Sequence, residues 1–506
     1  MSDLRTIPTP IGQITGLSQG PSANSPLETL VFKGLPYATA DRFRIPEAIT
    51  NLARQTTRSS RSEPLRGGFD ATEYRAQCPQ NPGTLERLLG ATSLEMDEEC
   101  LHLNVFTPDH RGRPRPVLVW IHGGAFINGG GAMPWYHGSN LAGLGDLVVI
   151  TCNYRLGAFG FLGEADLGLA DQLAVLDWVQ RNVEAFGGNP DQVTVFGESA
   201  GGTSVLSLAA ATRTTGLAHR FWAMSPSITQ IRSVERSREA EARFRDVSPG
   251  DPASLTTAEL LSVQAEIEAH RSDALTAFSP TAGGAVLPGP EPQDALAAIA
   301  EDPRPLVIGT NRDEMHLFTA FDPTIATLTE DDLREQFDRR FGHQSSEALA
   351  TYRTHRVGAT NAQLLSALQT DETFRVTARR LAQAKTSGPV WSYWFCHPSA
   401  AFDGLLGSCH GLDIPYAFSN LDRPGVPMFI GEHPQHLGVA AELSGRLIRF
   451  ASSGDPGWDH YDPQDRTTLQ IGGIPTGVNI EDVDGPVSQT LRDPEPEIRE
   501  LWDNVA

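Results

Sequence analysis

Five residues, Gly197-Glu198-Ser199-Ala200-Gly201, set one hydroxyl among neighbours with almost no side chain. A serine oxygen attacks an acyl carbon only when it stands clear of the chain and has a base beside it. A G-x-S-x-G turn from strand to helix lifts it clear. Such a turn is sharp and strained, and larger residues two places either side would collide. Ala200 then opens a helix, where a backbone amide faces developing negative charge. The tetrahedral oxyanion needs further preorganised donors. "WIHGGAF", Trp120 to Phe126, offers Gly123 and Gly124, whose amides an oxyanion can approach because neither residue has a Cβ. The glycines do not make a dinucleotide site, since the G-x-G-x-x-G spacing and its downstream acid are missing. His122 reads as a residue that holds this loop. Glu198 reads either as part of a network beside the serine or as a buried carboxylate satisfied by backbone.

These groups need a scaffold that brings loop ends together. "RPVLVWIHGG" and "DLVVITCNYR" are continuous apolar runs, and "DQVTVFG" leads into the serine turn. Between them Leu173, Leu176, Val179, Val183 and Phe186 share one helical face, stopped by Gly187, Gly188 and Pro190. "GTSVLSLAAAT" reads as the helix after the serine, and "RPLVIGTNRDE" and "GPVWSYWFCHP" as later strands. Apolar strands alternating with helices predict a mostly parallel sheet covered on both faces. Residues 233–275 and 323–385 are charged and helix-favouring, and are expected to be helical insertions over the sheet's C-terminal edge.

Bulk composition narrows the partners. The chain has 506 residues, 40% hydrophobic and 20% charged, with a formal net charge of -22. Such acidity argues against nucleic acid and anionic membrane surfaces. There is no apolar stretch long enough to span a bilayer and no apolar h-region in "MSDLRTIPTPIGQITG". A cytoplasmic protein with a small-molecule substrate is expected, as a monomer or weak homo-oligomer, with no cofactor.

"FKGLPYA", "EECLHLNVFTP", "WIHGGAF", "NYRLGAFGFL", "FGGNPDQVTVFGESAGG", "GTNRDEMHLF", "CHGLDIPYAF" and "SGDPGW" stand in the order found in the type B carboxylesterases. The resemblance runs from about Thr29 to the closing "RELWDNV". It implies one α/β-hydrolase domain over residues 1–506 and a serine esterase that acts on small to medium neutral carboxylic esters. In that fold the triad order is serine, acid, histidine. Glu314 of "GTNRDE" matches the family's acid, with Asp313 as its rival for that role and otherwise its structural partner, and His410 of "CHGLDIPYAF" matches the base. His397 lacks that motif. Met315 stands where the family usually has Gly.

The resemblance also aligns Cys78 and Cys100 with a disulfide of many members, although free thiols are expected here in the absence of a secretion signal. Cys152, ending a buried strand, reads as a small hydrophobe. Cys396-His397 and Cys409-His410 are doublets of zinc-binding types. They lack ligand spacing, and no metal is expected.

Phe126, Trp222, Phe318 and Phe402 are candidates for an apolar pocket by their closeness to motifs, and each could equally be core. "RFWAMSPSI" departs from the family near Ser225 and Pro226. An amidase or carbamate hydrolase with the same triad, and a non-catalytic cholinesterase-like binding protein, are the alternatives. A histidine base predicts activity rising with pH near its ordinary value of about 6.5.

Overall fold

In the computed structural model, one strand run sets the frame. The described residues are 3–22, 25–54, 68–83, 94–109, 112–269, 277–473 and 487–505. The apolar runs form strands β1 (Leu4–Thr9), β2 (Gly12–Gln19), β3 (Thr29–Pro36), β4 (His102–Pro108), β5 (Arg115–Ile121), β6 (Val148–Cys152) and β7 (Gly188–Glu198). They continue as β8 (Arg220–Met224), β9 (Leu306–Asn311), β10 (Val390–Phe395), β11 (Thr468–Ile471) and β12 (Ser488–Leu491). Their order in the sheet is β1-β2-β3-β4-β6-β5-β7-β8-β9-β10-β11-β12. From β6 to β11 every pair is parallel, and antiparallel strands close both ends.

The centre of the sheet is buried on both faces, as its β-branched and aromatic residues require. On β5, Val117, Val119 and Ile121 face one core while Leu118 and Trp120 face another. The first core takes helix α1 (Leu167–Asn182) and helix α2 (Ala200–Ala210). The second takes the helix formed by residues 436–453. Helix α1 passes into a tight turn that Gly187 ends at φ 80°.

Residues 234–247 and 257–269 form helices α3 (Val234–Val247) and α4 (Thr257–Ala269). Residues 330–384 are helical almost throughout: α5 (Glu330–Phe341), α6 (Ser345–His355), α7 (Asn361–Thr370), a π-helical turn Asp371–Arg375, and α8 (Val376–Ala384). Capping boxes start α5 at Thr329 with Asp332 and α7 at Thr360 with Gln363. Leu333, Phe337, Tyr352 and Leu364 from these helices enclose a third apolar cluster with Trp502 of the last helix. Helix α9 (His436–Ser453) packs Val439, Leu443 and Leu447 on the second core.

Register brings chemistry to one edge. Gly197 pairs with Ile121 and with Ala223, and Met224 pairs with Gly309. The carboxyl ends of β5, β7, β8 and β9 therefore end side by side, where open parallel sheets carry their sites. No helix among the described residues is long and apolar enough to cross a membrane.

Candidate active site

Ser199 sits between β7 and α2 at φ 58° and ψ -122°, a strained conformation for a residue with a side chain. Its small neighbours are explained by what surrounds them. A Cβ at Gly197 would stand 2.6 Å from the Ile121 carbonyl oxygen, and one at Gly202 would stand 2.5 Å from that of Met224. One at Gly201 would run into the Ile121 carbonyl. The elbow is thus pressed against the ends of β5 and β8, and the Ser199 amide donates to the Met224 carbonyl at 2.9 Å. The Ser199 side chain remains part-exposed.

The loop after β5 comes to the same point. A Cβ at Gly123 would lie 3.1 Å from the Ser199 Cβ and 2.7 Å from the Glu198 carbonyl oxygen. The chain then turns through Gly124 (φ 106°), Ala125 (φ 51°) and Phe126 (φ 63°). The amides of Ile127 and Asn128 both donate to the Gly124 carbonyl at 3.0 Å. Among the described residues no acceptor takes the Gly123 or Gly124 amides. The Ala200 amide is at the first turn of α2, where intrahelical acceptors are lacking. His122 holds this loop: its Nδ1 lies 2.8 Å from the Gly123 carbonyl, and its ring stacks on Tyr154 at 4.4 Å. Burial pushes His122 down to about 4.

Glu314 and His410 arrive from the loops after β9 and β10. Glu314 is fully buried, and its Oε1 accepts from the Asn311 amide at 2.7 Å. Its Oε2 lies 2.6 Å from His410 Nδ1. The opposite nitrogen, Nε2, faces Glu198 Oε1 at 3.1 Å. Ser199 makes no hydrogen bond to His410 here; such bonds often tighten only when substrate is bound. Burial disfavours the imidazolium, but Glu198, Glu314 and Asp413 outweigh it and push His410 up to about 9. Glu198 is pushed up to about 8, chiefly by burial, against the pull of His410.

Two groups were not singled out by the sequence reading. Asp413 is buried three residues after His410, accepts from Tyr393 Oη at 3.1 Å and from Asn311 Nδ2 at 3.3 Å, and is pushed up to about 7 by burial and by Glu314. An acid within the apolar "GLDIPY" was its available signal. Phe374, in the π-helical turn, places its ring 4.8 Å from His410. Nothing in local sequence separates it from a core phenylalanine. Glu198 takes the first of its two readings and lies in the network. Asp313 clasps the loop, accepting from the Ser408 amide at 3.0 Å.

The apolar candidates divide. Phe318 is 43% exposed with its ring 5.5 Å from His410. Phe402 is 40% exposed and packs edge-on against Phe321 at 5.2 Å. Phe126 and Trp222 do not line a pocket, correcting that expectation. Phe126 is fully buried against Phe161, because the loop's left-handed turn sends it inward. Trp222 is on the face of β8 opposite to the elbow helix and fills the second core with Phe450 and Trp458. Ser225 is buried directly behind the elbow, and its amide donates to the Gly309 carbonyl at 2.8 Å.

Cys78, Cys100, Cys152, Cys396 and Cys409 are all buried free thiols. Neither Cys396 nor Cys409 joins a ligand cluster; among the described residues the group that does is His397, His433 and His436.

Comparison with known proteins identifies the family. A family model described as the carboxylesterase family matches residues 3–485. A para-nitrobenzyl esterase of Bacillus subtilis is 34% identical over 470 residues, covering 87% of this chain and 90% of that protein. A phenmedipham hydrolase of Pseudarthrobacter oxydans is 32% identical, with 87% and 91% covered. A solved PNB esterase superposes with a TM-score of 0.76 at 30% identity, covering 98% of this chain and 99% of that one.

Proposed function

The chain belongs to the carboxylesterase family and is a serine carboxylesterase of the α/β-hydrolase fold, and from that premise we propose that Ser199, His410 and Glu314 are its triad. His410 takes the Ser199 proton as the oxygen attacks the ester carbonyl. Glu314 fixes the imidazole orientation and stabilises the imidazolium that forms. The amides of Gly123, Gly124 and Ala200 hold the tetrahedral oxyanion. The C–O bond to the alcohol breaks, the alcohol takes the proton from His410, and an acyl-enzyme remains on Ser199. Water, deprotonated by His410, then releases the acid.

The single observation that carries this reading is the 2.6 Å contact of His410 with buried Glu314, set beside a strained serine. The closeness of Gly123 to Ser199 supports the oxyanion assignment. Phe318, whose part-exposed ring lies 5.5 Å from His410, suits small to medium esters with an apolar or aryl part. The net charge of -22 favours neutral ones. We read the chain as one domain, monomeric or weakly self-associating, and cytoplasmic, where unbridged thiols persist.

The test is hydrolysis of p-nitrophenyl acetate and butyrate by the wild type and by Ser199→Ala. Turnover by the wild type that falls by about 10³-fold or more in the variant supports the triad. A folded Ser199→Ala protein that keeps wild-type turnover would remove Ser199 from it.

A further inference from the structure

At the far end of β10 the chain runs through Cys396 to His397, which is 1% exposed. Gly472 makes the seat for it, because a Cβ there would collide with the His397 Cβ. Opposite lie His433 and His436, the latter the first residue of α9. One ring nitrogen from each of the three lies within 4.8 Å of those of the other two. His397 Nε2 and His436 Nδ1 are 3.0 Å apart. Two nitrogens on a tetrahedral zinc, each at about 2.0–2.1 Å from it, are about 3.4 Å apart. Small ring rotations bring the trio to that spacing.

We propose that His397, His433 and His436 bind a divalent cation of the zinc class, with water as the fourth ligand on the side where His433 is part-exposed. Three imidazoles without a carboxylate suit zinc, nickel or copper(II) and not magnesium or calcium. The surroundings suit ligation too. His436 Nε2 lies 3.2 Å from the Gly431 carbonyl. Donation there leaves Nδ1 as the lone pair, the arrangement by which backbone acceptors orient metal-binding histidines. A cation displaces the Tyr416 hydroxyl, 2.7 Å from His436 Nδ1, and the His397–His436 contact, and the Gln435 amide's donation to His433 Nδ1 at 3.2 Å must adjust as well. The cation would tie the end of β10 to the start of α9 and would take no part in the chemistry at Ser199.

Full-length protein without a histidine tag, stripped with dipicolinate, is titrated with Co²⁺ and then Zn²⁺. The expected result is a single cobalt equivalent with the intense visible bands of a four-coordinate nitrogen site, displaced by zinc. Zinc should also raise the Tm, with the logarithm of its concentration once it exceeds the Kd. His433→Ala changes the most exposed ligand and should weaken binding more than about 100-fold, since lost outer-shell contacts alone weaken it 10–100-fold. His436→Gln provides a second reading should either variant be unstable. Cobalt that stays pale and six-coordinate, or zinc affinity that His433→Ala leaves unchanged, overturns the proposal.

Discussion

His410 Nδ1 and Glu314 Oε2 lie 2.6 Å apart in a site where Glu314 is fully buried. With Glu198 facing the other nitrogen, the imidazole is held between two carboxylates. Each favours its charged form, and Asp413 adds a third acid near by. A general base must be neutral to act, so with His410 as the proposed base this arrangement would set the pH range of the reaction.

Ester turnover should therefore rise with pH through a midpoint above the ordinary histidine value of about 6.5, toward the 9 to which His410 is pushed. The sign follows from the charge: a raised value keeps the inactive imidazolium to higher pH. Because the charge on Glu198 raises His410, Glu198→Gln should move the midpoint down. The profile will report the His410–Glu198 pair and not one residue. The measurement is kcat/KM for p-nitrophenyl acetate against pH, corrected for spontaneous hydrolysis. A wild-type midpoint at or below 6.5, or one that ignores Glu198→Gln, contradicts the account.

Gly123→Ala should lower kcat by about 10²-fold or more, the usual loss for one oxyanion donor. Its methyl would meet the Glu198 carbonyl at 2.7 Å and the Ser199 Cβ at 3.1 Å, so the donor and the nucleophile must part. Gly124→Ala adds a stability loss, since Gly124 is at φ 106° with the Asn128 carbonyl in the way. Steady-state kinetics with thermal melts checks both: each variant loses Tm, and Gly124→Ala loses more because it adds the strain of a positive φ to the clash.

Phe318→Ala should alter KM for aryl esters and leave stability within about 0.5 kcal/mol, as for other surface changes. Phe126→Ala should do the reverse first, destabilising by about 3–5 kcal/mol through the cavity left beside Phe161. Urea titrations and a small panel of alkyl and aryl p-nitrophenyl esters check both. Equal stability losses would mean that Phe318 is core.

What could be read from the sequence follows the range of the forces involved. Strand runs such as Val117 to Ile121 and the stop at Gly187 are local, and they stand where hydrophobic pattern and turn chemistry put them. The crowding at Gly197 and Gly201 was legible because a tight turn permits few residues. Phe126 and Trp222 were misread because nearness in sequence to a motif does not fix the direction of a side chain. For Phe126 a positive φ decided it, and for Trp222 the alternation of β8. Asp413, Phe374 and the trio of His397, His433 and His436 depend on contacts between distant segments, the last spanning 39 residues. No local pattern encodes those.

The segment that carries Phe374 is tied down by a buried ion-pair network. Glu495 forms ion pairs with Arg356, at 2.5 Å, and with Arg375, the end of the π-helical turn. Arg375 also lies over the Trp394 ring at 4.3 Å. Burial opposes the Glu495 charge, but the two guanidiniums hold its carboxyl well below the usual carboxylate range. Glu495→Gln would leave two largely buried cations with one partner fewer, and removing one member of such a pair costs about 3–5 kcal/mol. Asp371, 3.5 Å from Arg375, keeps part of the compensation and argues for the lower end of that range. The π-helical turn would loosen, Phe374 would leave the His410 ring, and ester turnover would fall at temperatures where the protein is still folded. Glu335→Gln, which removes an exposed i,i+4 partner of Arg339, should change stability by less than about 0.5 kcal/mol and turnover not at all. Urea denaturation and p-nitrophenyl acetate turnover of the two variants make the comparison. Matching small effects would show that the ion pairs of Glu495 do not hold the turn in place.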